Sequence, residues 1–357
     1  MVTDMTTSIS SSQASNDQNP HVAVRPEWLA LHAEEVIEPA LPMIDPHHHL
    51  WDYPERSFRY RATDLLADIG TQNIRATVFI ECHTHYRTDK PDAFKSVGEV
   101  EFVVDETREV AAHGGQTAVG AAIVANADLL LGAAVRPVLS ELIAASAGRV
   151  RGIRNIAVWH ADRSYRASMA NPPQGLMLDA RFREGFSQLA PLGLTFDAWA
   201  VHTQLDELCS LASAFPDTRI VLNHIGGPLA IGPYRGRRDA VFQDWRNGML
   251  KLSRCANVSV KLGGFGMTWF GLGFFEMPRP AGSEQLAAAI RPYVEGCIEA
   301  YGANRCMFES NFPVDKGNFS YNVLWNAFKR TASGASDSEK AALFHDTAAD
   351  FYRIKPC

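Results

Sequence analysis

What the chain lacks narrows its class first. Its six cysteines (Cys82, Cys209, Cys255, Cys297, Cys306 and Cys357) include no Cys-x-x-Cys pair. Scattered in this way they read as reduced thiols, which points to a cytoplasmic protein rather than a disulfide framework or zinc knuckle. There is no tract of lysine and arginine, and a formal charge of −6 over 357 residues is mild, so nothing supports a nucleic-acid partner. No run of about 18 uninterrupted apolar residues is present to span a membrane, and the N-terminus lacks the basic-then-apolar pattern of a signal peptide. No Gly-x-Gly-x-x-Gly follows the first strand-like run, which weakens a dinucleotide-binding reading. No internal repeat recurs at a fixed period.

What is present suits a globular protein with a large core: 46% of the residues are hydrophobic and 21% charged. Residues 1–22, rich in Ser, Thr, Asn, Gln and Asp, are expected to form a disordered tail, because they carry too little apolar surface to offset the entropy of ordering. Residues 355–357 form a short C-terminal tail. Between them, from 23 to 354, apolar runs alternate with amphipathic segments. Strands are expected at 43–45, 76–81, 118–123, 150–158, 194–201, 219–222, 258–262 and 306–308. Helices are expected at 26–32, 99–112, 180–189, 204–214, 282–301 and 336–352. Eight strands alternating with helices predict one distorted (β/α)8 TIM barrel, with a doubly wound open sheet as the alternative. The stretches 159–178 and Gly263–Phe275 then fall on the β→α loops that rim an active site.

The chemistry collects where these apolar runs stop. The first ends in Ile44-Asp45-Pro46-His47-His48-His49, and strand alternation puts Asp45, His47 and His49 on one side and His48 on the other. Two imidazoles two residues apart on a rigid strand can converge on one divalent metal. Glu81 ends the second run, after Val78-Phe79-Ile80, and a carboxylate buried there needs a cation or donors. His202 follows the fifth run, in phase with Phe196, Ala198 and Ala200. It reads equally as a ligand or as a helix-start residue bonding its own turn. His224 ends the sixth run before Gly226-Gly227-Pro228, as a ligand or as a packed core histidine. Lys261 lies near the end of the seventh, as a structural partner for Glu309 or Glu81 or as a contact to an anionic substrate. The eighth places Met307, Glu309 and Asn311 on one face. His83, His85 and His160 read as loop residues.

Taken in order, several motifs resemble the amidohydrolase-related family, in the branch that includes sugar lactonases and pyrone-dicarboxylate lactonase. They are Asp45-Pro46-His47-His48-His49-Leu50-Trp51-Asp52, Arg151-Gly152-Ile153-Arg154, Ile220 to Pro228, Val260-Lys261-Leu262-Gly263-Gly264 and Ser310-Asn311-Phe312-Pro313. The resemblance covers residues 40–354. It implies a distorted (β/α)8 barrel, with His47, His49, His202 and His224 at metal or substrate positions and Arg151 or Arg154 holding a substrate carboxylate. One departure matters. Hydrolytic members carry an aspartate after the eighth strand, as a metal ligand or general base, where this chain has Asn311. An amide has no pKa suited to that task. Glu81 and Glu309 are the carboxylates that can compensate.

The first functional expectation is therefore a hydrolase. A divalent ion (Zn, Mn or Fe, one or two ions) bound by His47, His49, Glu81, His202, His224 and Glu309 activates water against a lactone or amide of a small anionic substrate. Glu81, Glu309 and Asn311 are the catalytic candidates, with Arg151, Arg154 and Lys261 orienting the substrate. The alternative is a dinuclear non-haem iron or Mn/Fe monooxygenase component, which needs an external electron-transfer partner because the chain has no flavin or iron–sulfur signature of its own. A third reading is a catalytically silent metal-binding subunit. A homo- or hetero-oligomer is expected.

Overall fold

A computed structural model describes residues 21–53, 58–112, 115–162 and 170–355. Eight parallel strands, β1 (Met43–His48), β2 (Ile74–Ile80), β3 (Ala118–Asn126), β4 (Val150–Arg154), β5 (Thr195–Ala198), β6 (Ile220–Leu222), β7 (Val258–Leu262) and β8 (Cys306–Phe308), pair in sequential order. The ring closes just beyond β8, where Asn311 N–H donates to the His47 carbonyl (2.9 Å) and His49 N–H to the Phe312 carbonyl (2.8 Å). This is a distorted (β/α)8 barrel, as expected.

Alternation along each strand builds two cores. In β2, Ala76, Val78 and Ile80 point into the barrel, joined there by Val124, Val221 and Met307, while Phe79 faces the helical layer. The C-terminal helix Thr347–Tyr352 sends Ala348, Phe351 and Tyr352 into the same interior cluster and plugs one end. The outer helices include α1 (Ala62–Ile69), α2 (Val97–Ala112), α3 (Arg136–Ala145), α4 (Ala180–Phe186), α5 (Leu205–Ala214), α6 (Arg238–Leu252), α7 (Ser283–Tyr301) and α8 (Tyr321–Thr331). Their starts are chemically marked. The Asp179 carboxylate caps α4 through the Arg181 and Phe182 amides (2.8 and 3.0 Å), and Ser320 caps α8. Among the described residues no helix is long and apolar enough to cross a membrane.

The helix expected over 336–352 is present as one continuous run, Asp337–Ala341 passing through a π-turn at Ala342–Asp346 into the plugging helix. One expectation changes. The expected face-sharing of Asp45 with His47 fails because β1 is irregular between Asp45 and His48. Asp45 accepts from Ser310 Oγ (2.6 Å), Ser310 N (3.0 Å) and Tyr321 OH (2.9 Å), so it ties β1 to β8 and α8, whereas His47 turns inward. Residues 1–20 lie outside the described residues. His21 and Val22, assigned to the tail by composition, pack at the pocket mouth and against Gly317 respectively.

Candidate metal and substrate site

At the carboxyl ends of the strands three side chains from β1, β6 and β8 meet. The Glu309 carboxylate lies 2.6 Å through Oε2 from His47 Nδ1 and accepts through Oε1 from His224 Nδ1 (2.7 Å) and from the His224 amide (3.0 Å). All three residues are buried. Glycines at the end of β7 make the room: a Cβ on Gly263 would stand 2.3 Å from Glu309 Cγ, and one on Gly264 would stand 2.7 Å from the His224 ring. His224 and Asn311 both adopt left-handed backbone (φ 54° each), a strained conformation for residues with a Cβ.

This cluster suits a divalent ion. One potential ligand atom from each of His47, His224 and Glu309 lies within 4.8 Å of the others. His47 Nε2 and Glu309 Oε2 are buried and make no well-directed hydrogen bond among the described residues, the orphaned donor atoms that an ion would satisfy. Burial lowers the pKa of both histidines, with the Lys261 charge adding to the effect at His47 and Glu309 opposing it at His224. Neutral imidazoles are the form that ligates. His49 stands beside them, its ring 5.0 Å from that of His47. Its Nδ1 donates to the Ile80 carbonyl (2.8 Å), which leaves Nε2 as the bare nitrogen.

Below this cluster lies a buried charge network. Lys261 Nζ donates to Asp197 (2.7 Å) and sits 3.4 Å from His47 Nδ1. Asp197 also accepts from Tyr352 OH (2.9 and 3.0 Å) and Asn223 Nδ2 (3.0 Å). Lys261 thus pairs with Asp197, rather than with Glu309 or Glu81, and is not among the residues lining the pocket. Sequence reasoning passed over Asp197, although an aspartate inside Thr195-Phe196-Asp197-Ala198 was a usable signal.

Above the cluster is an open pocket with about 590 Å³ of empty space. Arg154 lines one side, gripped by Glu81 through Nε (2.6 Å to Oε1) and Nη2 (2.5 Å to the main-chain carbonyl). His83, expected to be a plain loop residue, approaches the other Glu81 oxygen at 3.1 Å. Burial raises the Glu81 pKa, but Arg154 and His83 outweigh it and bring it down to about 2, while Glu81 in turn raises that of His83. Glu81 is thus a fixed anion between the Arg154 guanidinium and the His83 imidazole. Asn311 also lines the pocket, with Nδ2 donating to Asp315 Oδ1 (2.8 Å). Burial pushes Asp315 up to about 8 even though the Gly266 amide and Asn311 hydrogen-bond to it.

The remaining candidates lie elsewhere. His202 shares the outward phase of Phe196 and Ala198, both in the outer core. It receives the Leu229 amide (3.4 Å) and packs edge-on to Tyr234, so the structure does not bring it to the cluster. Arg151 donates to the Gly148 carbonyl (2.5 Å) and sits beside Arg353, next to the plugging helix. That is the far end of the barrel from Arg154. Of the loop 159–178, residues 163–169 lie outside the described residues. The Gly263–Phe275 stretch does form the rim, with Trp269 buried 5.3 Å from Trp199 between ring centroids.

A family model described as amidohydrolase matches residues 44–354. An uncharacterized protein, y4mH, from Sinorhizobium fredii is 32% identical over 338 residues, covering 88% of this chain and 99% of its own length. An L-fucono-1,5-lactonase of Burkholderia multivorans is 25% identical over 318 residues, covering 87% of this chain and 96% of the lactonase. Among solved structures, an amidohydrolase from Burkholderia multivorans with bound zinc superposes with a TM-score of 0.65 at 22% identity, covering 88% of this chain and all of that one. A putative 2-pyrone-4,6-dicarboxylic acid hydrolase from Pseudomonas putida gives 0.59 at 19% identity, over 89% and 99% of the two chains. None of these relatives lends support to the oxygenase alternative.

Proposed function

The chain belongs to the amidohydrolase family, and from that premise we propose that it is a metal-dependent hydrolase opening a lactone or amide of a small anionic substrate. The observation that carries this reading is the Glu309 carboxylate bridging His47 and His224 directly beneath a pocket that holds Arg154. His47, His224 and Glu309 would hold the ion, with His49 alongside. When bound, a divalent ion polarises a carbonyl and lowers the pKa of water.

The chain's own groups divide the remaining work. Arg154, held in place by Glu81, presents Nη1 to the carboxylate of the substrate; that nitrogen takes no partner among the described residues. Glu81 is poorly placed to act as a base, because Arg154 and His83 hold its pKa near 2. Glu309 is engaged in another way, since its Oε2 is one of the atoms that would hold the ion and its Oε1 accepts from His224. Asn311 takes no proton. With its NH2 group committed to Asp315, it turns its carbonyl oxygen to the substrate as a fixed acceptor. Trp199 and Met267 wall the pocket beside His224.

The test pairs elemental analysis of protein purified without added metal with a panel of lactones and amides, assayed with and without a chelator and in the absence of O2. Bound divalent metal and chelator-sensitive, O2-independent hydrolysis are expected. No hydrolysis across the panel, or turnover that requires O2 and a reductant, would refute the proposal.

A further inference from the structure

The first residues of a domain stay loose unless something ties them down, and residues 21–29 are tied at three points. Trp28 and Leu29 are buried, and Trp28 Nε1 donates to the Met277 carbonyl (3.0 Å). The Arg25 guanidinium donates to the Phe275 carbonyl and lies 4.3 Å over the Trp28 indole. Val22 packs on Gly317, the last residue of the turn Val314–Gly317 that follows β8. A Cβ at Gly317 would stand 2.4 Å from the Val22 carbonyl oxygen and 2.6 Å from Val22 Cβ. The Gly317 backbone is not left-handed, so the crossing segment, rather than the turn itself, requires glycine here. Asn318 joins the anchors, accepting from the Phe275 amide (2.9 Å) and donating to the Gly266 carbonyl (2.6 Å). So fixed, the segment brings His21 to the pocket wall, its ring centroid 5.7 Å from that of Trp51, whose indole stacks on His49. Burial lowers the His21 pKa to about 4, so at neutral pH it adds an uncharged imidazole to the wall. All of this lies ahead of residues 44–354, the part that the family model matches.

We propose that residues 21–29 form a strap that completes the pocket, with His21 as a specificity-determining residue that limits the size of molecule able to reach the His47–His224–Glu309 cluster. This rests on the reading of the pocket as the active site and adds what sets its selectivity. Gly317 is then a positioning residue. It lies outside the pocket lining and acts by seating Val22, and with it the adjoining His21. A packed contact has no slack for a methyl group at 2.4 Å, so Gly317→Ala displaces the strap from its seat.

Cys82 lines the same pocket and reports access to it without a substrate. The full-length protein, its His21→Ala and Gly317→Ala variants and the double variant are labelled with N-ethylmaleimide and with the larger fluorescein-5-maleimide. Rates at Cys82, and at Cys209 on α5, are read by peptide mass spectrometry, with thermal melts checking that each variant is folded. In the wild type the small reagent is expected to label Cys82 at least tenfold faster than the large one. Each single variant should cut that ratio fivefold or more and leave the ratio at Cys209 unchanged. The double variant should do no more than His21→Ala alone, and His21→Phe, which keeps the bulk of the ring, should retain most of the wild-type ratio. A Cys82 ratio that His21→Ala does not move, or an equal change at Cys209, overturns the inference; additive effects in the double variant overturn the role of Gly317. If Gly317→Ala fails to fold, the contrast between His21→Ala and His21→Phe decides alone. Labelling needs no turnover, so its failure leaves the hydrolase reading standing. Absence of hydrolysis across the lactone and amide panel refutes that reading and leaves the strap as the limit on access to the pocket.

Discussion

Replacing Lys261 with methionine separates a structural cation from a substrate contact. Lys261 and Asp197 are both fully buried and lie 2.7 Å apart. Methionine matches the stem of lysine but leaves Asp197 as a buried anion, with only Tyr352 OH and Asn223 Nδ2 donating to it. Removing one partner of a buried ion pair costs about 3–5 kcal/mol, because the remaining charge has lost its solvation and gained nothing. Two neutral hydrogen bonds, each contributing roughly 1 kcal/mol, do not make up that loss. Urea unfolding followed by circular dichroism should therefore show a clear fall in midpoint with an unchanged slope. The double variant Lys261→Met/Asp197→Asn should recover much of the loss, since no charge is then stranded. If Lys261→Met instead keeps its unfolding midpoint and only raises KM for anionic substrates, Lys261 is a substrate ligand and the reasoning fails.

Three further outcomes are expected. His47→Ala and His224→Ala should each reduce bound metal, measured by elemental analysis, by tenfold or more, whereas His202→Ala should retain the wild-type content; equal loss at His202 would show the cluster to be misassigned. Arg151→Ala should leave KM for anionic substrates unchanged while Arg154→Ala raises it, because the two arginines sit at opposite ends of the barrel. The third concerns pH. Burial raises the Asp315 pKa from 3.8 to about 8, so between those values the folded state holds a proton that the unfolded chain has released. Its contribution is fully present below pH 3.8 and is lost as pH rises toward 8, at roughly 1 kcal/mol per pH unit. Stability measured across that window should therefore fall with pH more steeply in the wild type than in Asp315→Asn, and parallel curves would count against a protonated Asp315.

Much of the site could be read from the sequence because strand ends deliver side chains in a known phase. Glu309 and Asn311 lie on the face expected from β8, and Glu81 found the cation that its apolar run demanded. Where phase reasoning failed, a local backbone event was the cause. An irregularity in β1 turned Asp45 away from His47. The left-handed backbone at His224 brings its ring to the cluster from the residue after the inward-facing Asn223. The same alternation, followed strictly, puts His202 in phase with the outward-facing Phe196 and Ala198, and that is where the structure leaves it.

By itself the sequence determined the barrel, the end of it that carries chemistry, and the imidazoles and carboxylates available there. Periodicity and strand-end composition are local properties and are visible without coordinates. Tertiary structure decided the partnerships. Glu309 bridges two histidines that come from strands far apart in the chain. Lys261 is satisfied by Asp197 and Tyr352, and Glu81 spends its charge on Arg154 and His83. Which cation meets which anion depends on how closure of the barrel brings distant strand ends together. That choice separates a base from a clamp, and a ligand from a buried ion pair.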